Sequence, residues 1–170
     1  FGLVAIKNIG RGFIQAVMHQ REQAPFTSLY DFCDRMMGSD INKRAVENLI
    51  RSGAFDSLGA KRSQLIHVYE SVMDAVADSH RQNLDGQIDF FSMAAGIAEK
   101  QDVKEIPLPD IDEFTPQELM LMEKATTGLY LSGHPMDQYR DAVAQLGAPT
   151  IGSILEDFAQ EGGPVRFADD

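Results

Sequence analysis

Two glycine-containing turns, each followed by a helical pattern, are the features of this sequence best suited to chemistry. A glycine-rich turn that leads into a helix leaves backbone N–H groups pointing outward, and such groups bind phosphate oxygens. Contacts of this kind read no base, so they hold nucleic acid without sequence preference. The first turn supplies these candidate phosphate-binding residues, with Ile9 as an inward-facing plug: Lys7, Asn8, Ile9, Gly10, Arg11 and Gly12.

The second turn covers residues 53–59, where Phe55 and Leu58 are expected to be buried and Gly59 to face outward with the N–H groups after it. A single glycine turn before a helix is usually only a turn. Two in one stretch, joined by helices of suitable length, favour a tandem helix–hairpin–helix module that grips both strands of a duplex. The second set of candidate phosphate-binding residues is Gly59, Ala60, Lys61 and Arg62.

Each turn departs in one residue from an ideal phosphate-binding hairpin. Asn8 stands where the first glycine often lies, although Asn tolerates the left-handed backbone region better than most residues. Asp56 would repel a phosphate unless it points away to cap the following helix. Both departures weaken the expected affinity for DNA, the second more than the first.

A third feature is a short apolar cluster in an acidic, weakly patterned stretch. Adjacent large aromatic residues are unusual in a polar segment, which has little core of its own to bury them. Docking into a partner's groove would bury them, and so would folding back onto the helices. The residue pattern leaves both alternatives open for Gln87, Ile88, Asp89, Phe90 and Phe91.

The charge is divided along the chain. The 170 residues carry a formal net charge of −11, which consists of +2 over residues 1–70 and −13 over residues 71–170. The first part could therefore face a polyanion, whereas the second would be repelled by one. A single Cys excludes an internal disulfide, and no apolar run reaches the roughly 20 residues that a membrane span needs.

Helical patterns cover most of the chain outside residues 81–113. Ser28 and Asn42 are predicted N-caps, Gly53 a left-handed C-cap, and Pro116 the first residue of a helix. Glu123 continues the apolar spacing of that helix. The predicted helices begin near Gly12, Ser28, Asn42, Gly59, Pro116, Met136 and Ile151. Residues 128–131 are predicted as a short strand or a turn, and residues 165–167 as the start of a strand.

The sequence resembles the α subunits of bacterial DNA polymerase III, the C-family replicative polymerases. Three stretches carry the resemblance, in the same order and with similar spacing as in that family. The first and third of them are specific. The stretches are Phe1–Gly10, Asn42–Gly59 and Gly128–Asp137.

The resemblance implies a mainly α fold in three parts. These are a tandem helix–hairpin–helix module over 1–80, a flexible, extended linker over 81–113, and a small helical connector over 114–170 that ends at the first strand of an oligonucleotide-binding barrel (OB-fold). In this family a glutamine-led apolar pentapeptide docks on the sliding clamp. Residues 87–91 occupy that place, so the resemblance favours docking over folding back.

The resemblance also implies the partners and the chemistry. Double-stranded DNA would be held by its backbone, and other replisome subunits would be reached through a longer parent chain at the cytoplasmic, nucleoid-associated replisome. That parent would be a DNA-directed DNA polymerase, a nucleotidyltransferase that uses Mg²⁺ on palm-domain aspartates expected upstream of Phe1. Residues 1–170 should then be inactive alone and need no cofactor.

Other residue types carry weaker functional signals. Cys33 lies on an apolar helix stripe and is expected to be buried and inert. Asp110 and Asp112 could bind a divalent ion, but a solvated acidic loop is the more common case. Two other classes compete with a polymerase segment. One is a free-standing helix–hairpin–helix scaffold for DNA binding or repair, and the other is a hydrolase or metalloenzyme, which the absence of spaced ligands disfavours.

Overall fold

A computed structural model describes residues 2–84, 106–147 and 149–160. All regular secondary structure in these ranges is helical, which confirms the mainly α fold class. Residues 87–91 and the strand predicted at 165–167 lie outside the described residues. The α-helices are α1 (Arg11–Gln23), α2 (Leu29–Arg35), α3 (Lys43–Arg51), α4 (Arg62–Leu84), α5 (Pro116–Thr127), α6 (Arg140–Leu146) and α7 (Ile151–Gln160), with short 3₁₀ helices at Leu3–Ala5, Asp56–Leu58 and Pro135–Tyr139.

Local capping signals in the sequence determine where several helices begin. The Ser28 hydroxyl accepts a hydrogen bond from the Asp31 amide at 3.0 Å, and the Asn42 side chain accepts one from the Ala45 amide at 2.9 Å. Thr115 and Glu118 form a complete capping box at the start of α5, with Pro116 as its first residue. These contacts satisfy amides that have no partner inside the helix, and they confirm the predicted N-caps and the predicted start of α5.

The core lies where α4 packs against α2 and α3. Phe32 is at its centre, and its ring makes edge-on contacts with Phe13, Phe26 and Phe55, at centroid distances of 6.4, 5.0 and 4.9 Å. Along α3 and α4, apolar side chains at three- and four-residue spacing are buried or partly buried in this core. Fully or almost fully enclosed side chains include Met36, Val46, Leu49, Ile50 and Val76.

The chain divides into two compact units, 1–133 and 134–170. Helix α5 packs against α3 and belongs to the first unit. The boundary between the two units falls within the range 114–170 of the predicted connector, and Glu123 of α5 forms an ion pair with Arg62 of α4 inside the first unit. Gly128 adopts φ +82° as the C-cap of α5, so residues 128–131 begin with a turn rather than a strand.

The second unit contains the Pro135–Tyr139 3₁₀ helix, α6 and α7. His134 and Asp137 form a capping box at its start. Apolar side chains on α6 and α7 remain exposed, with Leu146, Ile151 and Leu155 at 81%, 78% and 62% exposure. Among the described residues, no helix combines the length and the apolar character that crossing a membrane requires.

A candidate nucleic-acid interface formed by two hairpins

The first hairpin presents an open helix N-terminus. Asn8 adopts φ +63°, a left-handed conformation that Asn tolerates, and it turns the chain toward α1. Ile9 is partly buried against the core, as expected of a plug. Gly10 is the N-cap and supplies no side-chain acceptor, and the first turn of α1 holds no acidic residue. In the part of the chain that the structure describes, no side chain caps this turn.

Lys7 fixes the first hairpin to two other elements. Its carbonyl accepts a hydrogen bond from the Asn48 side chain of α3 at 2.8 Å. Its amide donates to the Thr126 carbonyl at 2.9 Å, and its ammonium donates to the Ala125 carbonyl at 2.7 Å. The ammonium thus lies at the C-terminus of α5, where the helix dipole favours a cation. The Lys7 residue remains exposed, although its ammonium already donates a hydrogen bond to the Ala125 carbonyl.

Close approach to the first hairpin is sterically open. Among the described residues, a Cβ atom built on Gly10 or Gly12 meets no heavy atom within 4 Å beyond the adjacent residues and the backbone of the helix itself. The space beside these glycines is therefore available to an external group. Arg11, the next cation along the hairpin, is exposed.

The second hairpin has the predicted shape. Gly53 adopts φ +80° after α3, and Gly59 adopts φ +81° before α4. Phe55 is buried and Leu58 is half-buried between them, as predicted for the plugs. Gly59 and Lys61 are exposed, and Ala60 is half-buried.

Arg62 does not face outward, which corrects its predicted role in phosphate binding. Its guanidinium contacts Asp56 through Nε at 2.8 Å and through an η nitrogen at 2.6 Å. The other η nitrogen lies 3.1 Å from the Glu123 carboxylate, and the Arg62 side chain is 8% exposed. Burial of a cation requires such compensation. Asp56 therefore neutralises Arg62 rather than capping the helix.

The amides that follow Gly59 are also occupied. The Lys61 amide donates to the Gln64 side chain at 3.0 Å. The Arg62 and Ser63 amides donate to the two oxygens of the Glu113 carboxylate, at 2.7 and 2.9 Å. The expectation that these N–H groups face solvent is wrong, because an acidic side chain from a distant segment caps α4.

The segment that carries Glu113 lies along the start of α4. The Lys61 ammonium donates to the Ile111 carbonyl at 2.9 Å, and the Gln64 side chain donates to the Pro109 carbonyl at 2.8 Å. Burial acts to raise the pKa of the Glu113 carboxyl, but hydrogen bonds from the Ser63, Phe114 and Arg62 amides outweigh it and hold the pKa below its ordinary value. Glu113 is therefore an anion at neutral pH.

Sequence reasoning missed three residues that shape this site: Asn48, Glu113 and Glu123. Asn48 and Glu113 carry no local signal, since their partners Lys7 and Arg62 are distant in sequence. Glu123 could have been recognised from the sequence, because it stands at a position where the spacing of its helix calls for an apolar residue. A charged residue at such a position, fully buried here, indicates an internal partner.

The remaining reactive residue types have ordinary structural roles. Cys33 is fully buried, and burial, helped by the nearby Asp34 charge, raises its thiol pKa to about 12, which confirms the expected inert thiol. His80 lies 2.8 Å from the Asp34 carboxylate. In the described ranges, no three His, Cys, Asp or Glu side chains are grouped so as to hold a metal ion. Asp110 and Asp112 are exposed.

Comparison with known proteins agrees with this geometry. Residues 1–65 match the family described as the helix-hairpin-helix motif. The chain is 35% identical to DNA polymerase III subunit alpha of Xylella fastidiosa over 92% of its length, and 40% identical to that of Deinococcus radiodurans over 82%. It is 32% identical to that of Mycobacterium tuberculosis over 98%.

The chain spans only a small part of these relatives, namely 13%, 10% and 14% of their respective lengths. The similarity to the Mycobacterium tuberculosis protein, at 98% of this chain, nevertheless includes both hairpins, α5 and most of the second unit. The chain is therefore homologous to a segment of the bacterial DNA polymerase III α subunits, a segment that begins with a helix-hairpin-helix motif.

Proposed function

We propose that this chain is the duplex-holding and clamp-docking segment of a replicative DNA polymerase. It would hold the DNA backbone through the first hairpin and keep the polymerase on its template rather than catalyse nucleotide addition. The catalytic step would belong to other parts of a longer parent chain. Tethering to a ring around DNA raises the effective concentration of polymerase at its template.

The open N-terminus of α1 is the observation that carries the DNA-binding part. Within the described residues no side chain caps its first turn, its glycines leave room for close approach, and Arg11 lies beside them. A DNA phosphate would complete this turn in the way that a capping carboxylate completes others. Such contacts predict binding that is independent of sequence and falls as salt rises.

Charge reversal at the two ends of α1 tests this proposal. Arg11→Glu places an acid in the first turn, and Arg21→Glu makes the same charge change in the last turn of the same helix. The two positions are about 15 Å apart along the helix axis. Fluorescence anisotropy with a labelled 20-base-pair duplex at low salt should show at least a tenfold loss of affinity for Arg11→Glu and a much smaller loss for Arg21→Glu.

Equal losses of duplex affinity in the two variants would mean that only the overall charge matters and that the first hairpin does not contact DNA. Gly10→Val gives an independent check and should leave folding intact, since a Cβ at this position meets no heavy atom of the described residues beyond its chain neighbours and the φ of −80° suits Val. Unchanged duplex affinity in a folded Gly10→Val protein would contradict phosphate approach at this turn.

The clamp-docking part is supported by residue pattern and by place in the family. Gln87 supplies a polar anchor, Ile88 one apolar anchor, and Phe90 with Phe91 a second. A few apolar anchors of this kind supply most of the energy of short-peptide docking. The partner would be the ring-shaped sliding clamp of the same organism.

Calorimetric titration of the chain with that clamp tests the docking proposal. Phe90→Ala/Phe91→Ala should abolish binding, whereas Leu146→Ala, which removes an exposed apolar side chain of the second unit, should leave it unchanged. Absence of binding by the unaltered chain, or equal binding by the double variant, would overturn clamp docking without touching the hairpin proposal.

A further inference from the structure

The two hairpins differ in what lies at the helix that follows them. At α1 the N-cap is a glycine and no acid lies in the first turn. At α4 the first two amides, those of Arg62 and Ser63, each donate to one oxygen of a single carboxylate, at 2.7 and 2.9 Å. Two oxygens of one anion on two successive amides at a helix start is the arrangement that a bound phosphate would adopt.

We infer that Glu113 occupies the anion position of the second hairpin in place of a DNA phosphate. The inference rests on the proposed function, and it makes the two hairpins unequal. The first contacts the backbone, and the second is closed by the chain itself. Duplex DNA would then be held at one hairpin rather than at both.

Both cations of the second hairpin, Lys61 and Arg62, already have partners within the protein. The Arg62 guanidinium is directed toward Asp56 and Glu123 and is buried. The Lys61 ammonium contacts the Ile111 carbonyl, two residues before Glu113. A phosphate that approached α4 would have to displace Glu113, and it would find the Arg62 charge already paired with Asp56 and Glu123.

The segment around Glu113 is fastened at several points, so its carboxylate is held in position. Gln64 binds the Pro109 carbonyl at 2.8 Å, the Phe114 amide donates to the Glu113 carboxylate itself at 2.9 Å, and Ile106 packs against the core. An intramolecular anion held in this way has a high effective concentration relative to an external phosphate. Closure is therefore the favoured state.

Three variants, each of which removes one negative charge, distinguish an effect of the Glu113 contact from an effect of overall charge. Glu113→Ala vacates the α4 amides, Glu113→Gln keeps an oxygen acceptor of the same length in place, and Asp112→Asn alters the exposed carboxylate next to it. Duplex affinity is measured by anisotropy over a series of salt concentrations. Glu113→Ala should bind more tightly than the other two, with a log–log salt slope steeper by about 0.9, the value for one added phosphate contact.

Equal affinities and slopes for all three folded variants would overturn the inference, since Glu113 would then be only a helix cap. Amide NMR of the unaltered chain gives a second measurement that needs no variant to fold. On addition of duplex, the Arg11 and Gly12 amides should shift, while the Arg62 and Ser63 amides should not. Shifts at Arg62 and Ser63 that saturate together with those at Arg11 would contradict closure.

Failure of the proposed function is distinguishable from failure of this inference. If the unaltered chain binds no duplex, the proposed function fails, and inorganic phosphate then serves as the probe. Phosphate should shift the Arg62 and Ser63 amides of Glu113→Ala and leave those of the unaltered chain in place. The same response in both proteins, or no response in either, would overturn the inference.

Discussion

Arg62 and Glu123 form a buried ion pair at 3.1 Å, and the two side chains are 8% and 1% exposed. The second oxygen of the Glu123 carboxylate accepts hydrogen bonds from the Leu131 and Ser132 amides, each at 2.8 Å. Burial acts to raise the pKa of the Glu123 carboxyl, but those hydrogen bonds and Arg62 outweigh it and hold the pKa below its ordinary value. One carboxylate therefore ties α4, α5 and the turn after α5 together.

Loss of the Glu123 charge should destabilise the first unit. Glu123→Gln leaves Arg62 buried with only Asp56 to compensate it, and breaking one partner of a buried pair costs about 3 kcal/mol. Thermal unfolding followed by circular dichroism should show a clear fall in Tm. Glu118→Gln on the same helix is the control, because Gln still completes the capping box. Similar Tm values for the two variants would contradict a structural role for the pair.

Acid should destabilise the first unit through Glu113 and Glu123. Both carboxyls have pKa values below the ordinary 4.5 in the folded chain. Such groups add stability at pH values above the unfolded pKa, and the contribution is lost as pH falls through the folded pKa. Urea unfolding from pH 7 to pH 3 should show a steep loss below about 4.5. Glu113→Gln/Glu123→Gln should flatten that part of the profile; an unchanged profile would exclude both groups as its source.

Asn48 is expected to position the first hairpin. Asn48→Ala removes the donor to the Lys7 carbonyl, at a cost in folding stability of about 1 kcal/mol. Asn42→Ala, which removes the N-cap of the same helix, should cost about as much, roughly 1 kcal/mol, without touching the hairpin. Only Asn48→Ala should also weaken duplex binding. Equal duplex affinity in the two variants would assign Asn48 a structural role alone.

Gly53 and Gly59 should respond differently to Ala. Both adopt left-handed φ values, so each substitution carries a backbone cost of about 1 kcal/mol. At Gly53 the new Cβ would also overlap the Arg62 guanidinium, whereas at Gly59 it would meet no heavy atom of the described residues within 4 Å other than those of its chain neighbours. Urea unfolding should therefore show a clearly larger loss for Gly53→Ala. Losses of equal size would mean that the guanidinium can move aside without cost.

Whether the sequence could predict a contact depends on how far apart along the chain its two residues lie. The Ser28 and Asn42 caps and the left-handed Gly53 each depend on residues a few positions away, so local spacing was sufficient to predict them. The partners of Arg62 include Glu113 and Glu123, which lie far along the chain. No local pattern distinguishes a cation that faces solvent from one that faces such partners, and Arg62 was therefore misassigned.

The first hairpin shows the same difference between local and distant contacts. The left-handed Asn8 and the plug Ile9 followed from the turn residues alone. The hydrogen bonds of Lys7 to α3 and α5 did not, because they join residues as far apart in sequence as Lys7 and Thr126. Local sequence thus predicted the shape of the hairpin but not its supports.

The contacts of Lys7 and of Glu113 also determine how the first unit would carry mechanical load. Helix α4 ends at Leu84, and the chain from Ile106 onward is fastened back onto the start of the same helix and, through α5, onto the first hairpin. A pulling force on the chain between residues 84 and 106 would therefore act on the first unit at two points, the end of α4 and the segment that begins at Ile106. The load would be shared between these two points, and part of it would reach the first hairpin through the hydrogen bonds that Lys7 makes with α5 rather than through the backbone alone.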